Sequence, residues 1–194
     1  MTPQLNIMGY VNRSEVNGPG CRAVLWMQGC KRECPDCFNP SSWSLSTNQL
    51  VSVEEIVERI VSEPANQGVT FSGGEPFLQA TALAALAKQV KYAGLSVMSF
   101  TGYTLSELRS PDAPAGASDL LDQLDILIDG PYVANLAIHS PDSPVSSLNQ
   151  RLHIFNPAFA DKIDWASDQI EIHILKDGTR VVTGFRGQMD LDDF

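Results

Sequence analysis

Three closely spaced cysteines constrain this chain more than any other feature of its sequence. In GCKRECPDCFNP, residues 29–40, Cys30, Cys34 and Cys37 have the spacing C-x3-C-x2-C, and Cys21 is the only other cysteine. Thiolate sulfur suits zinc, copper(I) and iron–sulfur clusters, so the loop predicts a site for a soft metal. A structural zinc site needs four ligands and a disulfide framework needs an even number of cysteines, so the missing fourth ligand decides the chemistry.

Three interpretations of the loop are open at this point. A structural zinc would need a fourth ligand from elsewhere in the chain, and the candidates are Cys21, His139, His153 and His173. A redox pair would use Cys34 and Cys37 and leave Cys30 without a role. A 4Fe–4S cluster held by three cysteines keeps one iron open to an exogenous ligand, and an open position indicates chemistry rather than structure.

Composition indicates an ordinary globular domain and argues against several partner classes. The chain has 194 residues, 43% of them hydrophobic, with 23 acidic and 13 basic side chains and a formal charge of −10. This acidic balance opposes the phosphate contacts that dominate nucleic-acid binding. The sequence shows no long apolar run and no export signal, so we expect a cytoplasmic protein with no membrane partner and with reduced thiols.

Hydrophobic periodicity predicts alternating strands and helices. The predicted strands are 22–28, 69–71, 96–100 and 125–130. The predicted helices are 52–62 and 79–92, with shorter candidates at 104–108 and 117–124. This alternation implies a mostly parallel sheet of class α/β. Residues 131–157 are predicted to form a long loop, and IEIHILKDGTRVVTGF is predicted to form a hairpin with a type I′ turn at Asp177-Gly178.

Four motifs occupy the same position relative to these strands. The cysteine loop, SGGEP at 72–76, TGY at 101–103 and IDG at 128–130 each follow a predicted strand. In parallel α/β sheets, ligands bind at the carboxyl ends of the strands, so we expect the four motifs to converge on one site. Gly73 and Gly74 would let the backbone approach a ligand there, although a plain strand-to-helix turn also explains them.

The order of these motifs resembles that of the radical S-adenosylmethionine (radical SAM) superfamily, in which the cofactor's amino and carboxylate groups chelate the open iron. Within this superfamily the chain is similar to the activating proteins of anaerobic ribonucleotide reductase. The matching pieces are VNGPG at 16–20, GCKRECPDCFNPSSW at 29–43, SGGEP, TGY, IDGPYV at 128–133 and NQR at 149–151. The resemblance implies an incomplete, partial β/α barrel with a mostly parallel sheet, and the C-terminal hairpin predicted from the alternating pattern would follow it.

The chain departs from the superfamily pattern in two places. Most members have an aromatic residue just before the third cysteine, where this chain has Asp36; as in the reductase activators, an aromatic residue follows instead, here Phe38. The chain also continues past NQR, into the predicted hairpin that the shortest members lack. We predict a single radical SAM domain over residues 1–194. It would comprise a core at about 16–151, a C-terminal extension at about 158–187 and an acidic tail at 188–194, to which we assign no function.

The resemblance implies a set of cofactor-binding residues. The predicted ligands of one 4Fe–4S cluster are Cys30, Cys34 and Cys37. The predicted contacts of S-adenosyl-L-methionine are Asp36, Cys37, Phe38, Ser72, Gly73, Gly74, Glu75 and Thr101. We predict no catalytic residue beyond this cluster and cofactor site.

Several residues near these motifs have an ordinary explanation beside the functional one. Glu75 could pair with the methionine ammonium group or carry a first-turn helix charge. Lys31 and Arg32 could raise the cluster's potential or be plain surface charges. Asp129 could orient the cofactor or a partner loop, or merely cap its strand. Cys21 is expected to be a buried core residue.

The resemblance implies a reductive activation reaction. An external one-electron donor, such as a flavodoxin or ferredoxin, would reduce the cluster, and S-adenosylmethionine would break into methionine and a 5′-deoxyadenosyl radical. That radical would take a hydrogen atom from a glycine of anaerobic ribonucleotide reductase. The first alternative is action on another glycyl-radical enzyme, a peptide or a small molecule. The second is a non-enzymatic iron–sulfur electron-transfer or zinc-stabilised interaction module.

Overall fold

The computed structural model describes residues 3–138, 143–160, 169–174, 178 and 180–184. Its strands are β1 Gln4–Ser14, β2 Arg22–Met27, β3 Gln49–Ser52, β4 Gly68–Gly73, β5 Ser96–Phe100, β6 Ile126–Asp129, β7 Arg151–Ile154, β8 Ile170–Ile174 and β9 Arg180–Gly184. Its α-helices are α1 Val53–Val61, α2 Ala80–Tyr92, α3 Leu105–Leu108 and α4 Ala117–Leu121. Short 3₁₀ turns lie at Pro40–Ser42, Pro76–Gln79, Ala134–Leu136 and Pro157–Phe159.

The first seven strands form one sheet in the order β3-β1-β2-β4-β5-β6-β7, and β8 and β9 form a separate hairpin. Strands β2, β4, β5 and β6 are parallel neighbours. Strands β1 and β7 run antiparallel to them at either side, and β3 pairs antiparallel with β1. Because β3 and β7 end the sheet without pairing to each other, the sheet does not close. The prediction of an α/β fold with a mostly parallel, incomplete barrel is therefore confirmed.

The helices cover one face of the sheet. Leu25 of β2, Phe71 of β4 and Leu127 of β6 point to this face and belong to one buried cluster with Ile60 of α1 and Leu83 of α2. Parallel strands are covered on both faces, which explains why all six residues of β2 are buried. No helix in the described ranges is long and apolar enough to cross a membrane.

The opposite face of the sheet carries two smaller apolar clusters. Val24 and Trp26 form one of them with Val11, and Val181 of β9 packs against it. The other is formed by Met98, Ile126 and Ile128, and segments that follow β6 pack against it. Alternate residues of β2 therefore serve the two faces, as the two-residue period of a strand requires. The C-terminal part of the chain covers the face that the helices leave open.

The predicted elements agree with the observed ones apart from one segment and three strands. Strand β7 and a bridge between Ala137 and Ser147 lie inside 131–157, so the prediction of one long loop there is wrong. Strands β1 and β3 were not predicted. The hairpin is confirmed by the pairing of β8 with β9. Its predicted turn includes Asp177, which lies outside the described residues, as does His139.

Candidate functional site

A cleft opens at the carboxyl ends of the four parallel strands. Nine of the ten predicted site residues line it, namely Cys30, Cys34, Cys37, Phe38, Ser72, Gly73, Gly74, Glu75 and Thr101. The tenth, Asp36, is not among the lining residues and is exposed in the cysteine loop with a φ of 59°. The structure therefore brings together the cysteine loop, SGGEP and TGY. Gly130 adds the end of IDG to the same cleft.

The cysteine loop is tied together at its base. Gly29 leaves β2 with a φ of 101°, a value that favours glycine. Its N–H donates to the carbonyl of Ser42 over 2.8 Å, and the N–H of Cys30 donates to the carbonyl of Trp43 over 3.1 Å. The two ends of the loop are therefore held side by side, and the cysteines project from a closed base.

Two of the three thiols already accept hydrogen bonds from the backbone. The N–H of Arg32 donates to Cys30 Sγ over 3.5 Å, and the N–H of Asn39 donates to Cys37 Sγ over 3.4 Å. Burial raises the pKa of the Cys30 thiol, an effect that a bound metal ion would oppose. Within the described ranges, no three His, Cys, Asp or Glu side chains are gathered into a ready-made metal site. The cysteines share the cleft without forming a closed cage.

None of the described candidates for a fourth zinc ligand lies in this cleft. Cys21 precedes β2, at the opposite end of the strand from the cysteine loop, and is partly exposed, so the expectation of a buried core position is wrong. His153 Nε2 lies 3.1 Å from an Asp129 oxygen, and His173 Nε2 lies 3.2 Å from a Glu171 oxygen. These positions argue against a closed zinc site.

The SGGEP turn packs backbone to backbone against the end of β2. The N–H of Gly74 donates to the carbonyl of Met27 over 2.8 Å, and the N–H of Glu75 donates to the carbonyl of Gly29 over 2.8 Å. A Cβ on Gly74 would stand 2.4 Å from the Gly29 oxygen, and one on Gly73 would stand 2.5 Å from the Met27 nitrogen. Both glycines are therefore needed for packing, so a change such as Gly74→Val would not test cofactor contact alone.

Glu75 places a carboxylate inside the cleft wall. Its side chain is 2% exposed and accepts three hydrogen bonds, from Phe77 N over 2.9 Å, Thr101 Oγ1 over 2.8 Å and Gly102 N over 2.8 Å. Burial raises the pKa of this carboxyl, and the three donors oppose that rise. The bond to Phe77 caps the 3₁₀ turn, so the helix-charge interpretation has structural support. None of the donors is charged, but the charge of Arg32 also opposes the rise in the pKa of Glu75, so the carboxylate already interacts with one cation.

Replacing Thr101 by valine is expected to loosen this arrangement without changing the shape of the side chain. The hydroxyl donates to Glu75 and accepts from Tyr103 N over 3.1 Å, and both bonds would be lost. We expect the free energy of unfolding to fall by about 2 kcal/mol and the pKa of Glu75 to rise further. Urea unfolding measures the first effect. Thr81→Val, which removes an exposed 3.3 Å bond to Ala115 O, is the control and should change the free energy by less than about 0.5 kcal/mol.

Asp129 is placed next to the cleft but does not line it. One carboxylate oxygen accepts from the N–H of Leu105 over 2.5 Å, and the other lies beside His153. The following residue, Gly130, donates its N–H to the carbonyl of Tyr103 over 2.8 Å. Asp129 therefore caps the start of α3 and holds the loop that carries TGY, which differs from the predicted capping of its own strand.

Several other residues that line the cleft were not predicted from the sequence to have a role. Asn17, Tyr132 and Gln150 lie in VNGPG, IDGPYV and NQR, so membership of these motifs was the available signal. Residues 182–184 of β9 also line the cleft. Thr183 and Asn17 hold the hairpin there, because Asn17 Nδ2 donates to Thr183 Oγ1 over 2.8 Å and that hydroxyl donates to Asn17 Oδ1 over 3.1 Å. Residues 182–184 reach the site because the hairpin docks there.

The lining residues fit an iron–sulfur cluster and an amino-acid cofactor. Three thiols supply soft ligands, and the buried carboxylate of Glu75 suits an ammonium group. The indole Nε1 of Trp43 is buried and has no hydrogen-bond partner among the described residues, although Trp43 lines the cleft. A buried donor of this kind suits an acceptor supplied by a ligand. Fold and site together define an α/β protein in which three cysteines, a glycine turn and a buried carboxylate line one cleft at the carboxyl ends of the parallel strands.

Comparison with known proteins agrees with this class of protein and identifies a family within it. Residues 16–153 match the family model described as a 4Fe–4S single cluster domain. An anaerobic ribonucleoside-triphosphate reductase-activating protein from Vibrio cholerae is 31% identical over 160 residues, which cover 78% of this chain and 99% of the relative. The protein of the same name from Salmonella typhimurium is 32% identical over 62% of this chain and 80% of its own length.

A relative that aligns with a smaller part of this chain carries a different name. A pyruvate formate-lyase-activating enzyme from Clostridium pasteurianum is 34% identical over 46% of this chain and 41% of its own length. The chain belongs to the family of 4Fe–4S single-cluster proteins that contains the anaerobic ribonucleoside-triphosphate reductase-activating proteins.

Proposed function

We propose that this chain is a radical SAM enzyme that activates a glycyl-radical enzyme, namely anaerobic ribonucleotide reductase. One observation carries the proposal. Three cysteines, a glycine turn that must stay free of side chains and a buried carboxylate line a single cleft, in a chain that belongs to this family. A closed zinc site would need a fourth protein ligand, and neither Cys21, His153 nor His173 lines this cleft.

In this proposal Cys30, Cys34 and Cys37 hold one 4Fe–4S cluster and leave one iron for S-adenosylmethionine. When bound and reduced by an external one-electron donor, a cluster on these cysteines would supply the electron for the reductive cleavage of S-adenosylmethionine. The backbone N–H groups of Arg32 and Asn39 would orient Cys30 Sγ and Cys37 Sγ as ligands.

The remaining cleft residues orient the cofactor. Glu75 attracts its ammonium group, because a buried carboxylate favours a cation nearby. Ser72, Gly73, Gly74 and Thr101 line the same wall as Glu75. Asp36 and Phe38 flank the third cysteine and are assigned to the nucleoside portion. Together these groups bind the cofactor and limit the access of water to it.

The mouth of the cleft suits a protein substrate. Phe38 is 55% exposed, and its ring centroid lies 6.3 Å from that of Tyr132 across the mouth. The open sheet leaves room beside these rings for a loop of the partner that carries the glycine. A flavodoxin or ferredoxin would supply the electron, and a cytoplasmic setting would keep the cysteines reduced. We propose that residues 1–194 act as one domain, since Thr183 of the hairpin is hydrogen-bonded to Asn17 in the segment between β1 and β2.

The test is formation of 5′-deoxyadenosine. The protein would be reconstituted anaerobically with iron and sulfide, reduced, and supplied with S-adenosylmethionine. We expect 5′-deoxyadenosine, and a glycyl radical detected by electron paramagnetic resonance when anaerobic ribonucleotide reductase is added. An intact cluster that yields no 5′-deoxyadenosine would contradict the proposed chemistry.

A second candidate keeps the same chemistry and changes the partner. The pyruvate formate-lyase-activating relative favours activation of another glycyl-radical enzyme. The two candidates separate when both partner enzymes are offered to the same reduced protein. A glycyl radical on pyruvate formate-lyase alone would overturn our assignment of the partner but leave the cofactor chemistry intact.

A further inference from the structure

Arg32 connects the cysteine loop to the loop that follows β5. It lies between Cys30 and Cys34 in sequence, and its guanidinium carbon sits 4.5 Å from the centroid of the Tyr103 ring. One guanidinium nitrogen is 3.3 Å from each carboxylate oxygen of Glu107. A cation over an aromatic face and a carboxylate beside it both hold a guanidinium in one orientation.

The far end of this connection is itself fixed. The Glu107 carboxylate accepts from the N–H of Thr104 over 2.6 Å and from its hydroxyl over 3.0 Å, within the capping box that begins α3. These bonds hold the pKa of Glu107 below its usual range, so the carboxylate is ionised at neutral pH. Arg32 is therefore bound to a helix start rather than to a free side chain.

The near end of the connection reaches a predicted cluster ligand. The backbone N–H of Arg32 donates to Cys30 Sγ over 3.5 Å. Arg32 also lines the cleft, and it is the only Lys or Arg among the described lining residues. Lys31, its neighbour in the loop, is exposed and does not line the cleft. The loop thus offers two cations, of which one faces the site.

We propose that Arg32 is a positioning residue that clamps the cysteine loop to Tyr103 and Glu107, slows loss of the iron–sulfur cluster and raises its reduction potential. This role rests on the proposed function, since it requires a cluster on the three cysteines. Mutation of a residue that supports a metal ligand typically lowers the metal affinity 10- to 100-fold. A nearby positive charge favours the more negative, reduced cluster.

The experiment compares Arg32→Gln, Arg32→Lys and the control Lys31→Gln with the wild type, all reconstituted anaerobically. The rate of iron loss to a ferrous chelator and the midpoint potential of the cluster are measured. We expect Arg32→Gln to lose iron at least about 10-fold faster and to have a more negative potential. Arg32→Lys keeps the charge but not the planar fork, so iron loss stays fast while the potential returns toward that of the wild type. Lys31→Gln should match the wild type in both measurements.

Two results would overturn the role of Arg32. One is an Arg32→Gln protein whose iron loss and potential equal those of the wild type, and the other is a Lys31→Gln protein that changes as much as Arg32→Gln. If Arg32→Gln does not fold, the rate of iron loss from Arg32→Lys becomes the deciding measurement. A wild-type rate of iron loss from Arg32→Lys would contradict the clamp. A wild-type protein that binds no cluster at all would instead contradict the proposed function, so the two failures are distinguishable.

Discussion

Replacing Cys30, Cys34 or Cys37 singly by alanine is expected to abolish cluster binding and, with it, all formation of 5′-deoxyadenosine. The reason is the number of ligands: a cluster held by three thiolates has no spare protein ligand, and His153 and His173 lie away from the cleft. Iron in the reconstituted protein should fall from about four atoms per chain to background. Iron and sulfide analysis measures this loss without depending on activity.

The matched control for these variants is Cys21→Ala. Cys21 lies at the other end of β2 and does not line the cleft, so its removal should leave the iron content and 5′-deoxyadenosine formation unchanged. A Cys21→Ala protein without a cluster would place a fourth thiolate at the site and contradict the open iron. A full cluster in any of the three other variants would contradict the ligand assignment.

The sequence identified the parallel part of the fold because those strands are buried on both faces. RAVLWM is apolar almost throughout, and all six residues are buried in β2. Strand β1 gives a weaker signal, because QLNIMGYVNRS mixes polar and apolar residues and contains a glycine. Strands β3 and β7 have four residues each and lie at the two edges of the sheet. Their formation depends on pairing with strands that are distant in the chain, which local periodicity does not report.

The site divides in the same way, into local motifs that the sequence predicts and long-range contacts that it does not. The cysteines and SGGEP are local motifs that follow strands, so topology alone brings them together. The contact between Asn17 and Thr183 joins residues separated by 166 positions, and it accompanies the packing of Val181 against the cluster that contains Trp26. The tight packing of Gly74 is equally hidden, since a glycine in a sequence does not show which backbone atom approaches it.

At the opposite end of the sheet from the cleft, Arg22 is buried completely. Its guanidinium donates to Thr70 Oγ1 and to the carbonyls of Pro19 and Val69, each over 2.9 Å, and to Ser96 Oγ over 3.0 Å. Burial lowers its pKa to about 10, so it still carries its charge at neutral pH. A buried arginine held by neutral acceptors joins the first residue of β2 to β4, β5 and the VNGPG segment.

Replacing Arg22 by methionine is expected to lower the free energy of unfolding by about 3 kcal/mol or more. Methionine fills much of the space and removes the cost of burying a charge, but it leaves the acceptors of Pro19, Val69 and Ser96 without donors. Arg22→Lys should be no better, because one ammonium group cannot reach acceptors that are spread around a planar fork. Urea unfolding measures both losses, and the exposed Arg109→Met, expected to change the free energy by less than about 0.5 kcal/mol, is the control.

The outcome for Arg22 also tests whether fold stability and the cleft are separable. Because Arg22 lies at the amino ends of the strands, a variant that is still folded at low temperature should bind iron as the wild type does. If Arg22→Met is as stable as the wild type, the hydrogen bonds of Arg22 contribute no more free energy than the burial of its charge costs. A folded variant that loses its cluster would show that the alignment of β2 with β4, which fixes Gly29 against Gly74, depends on this arginine.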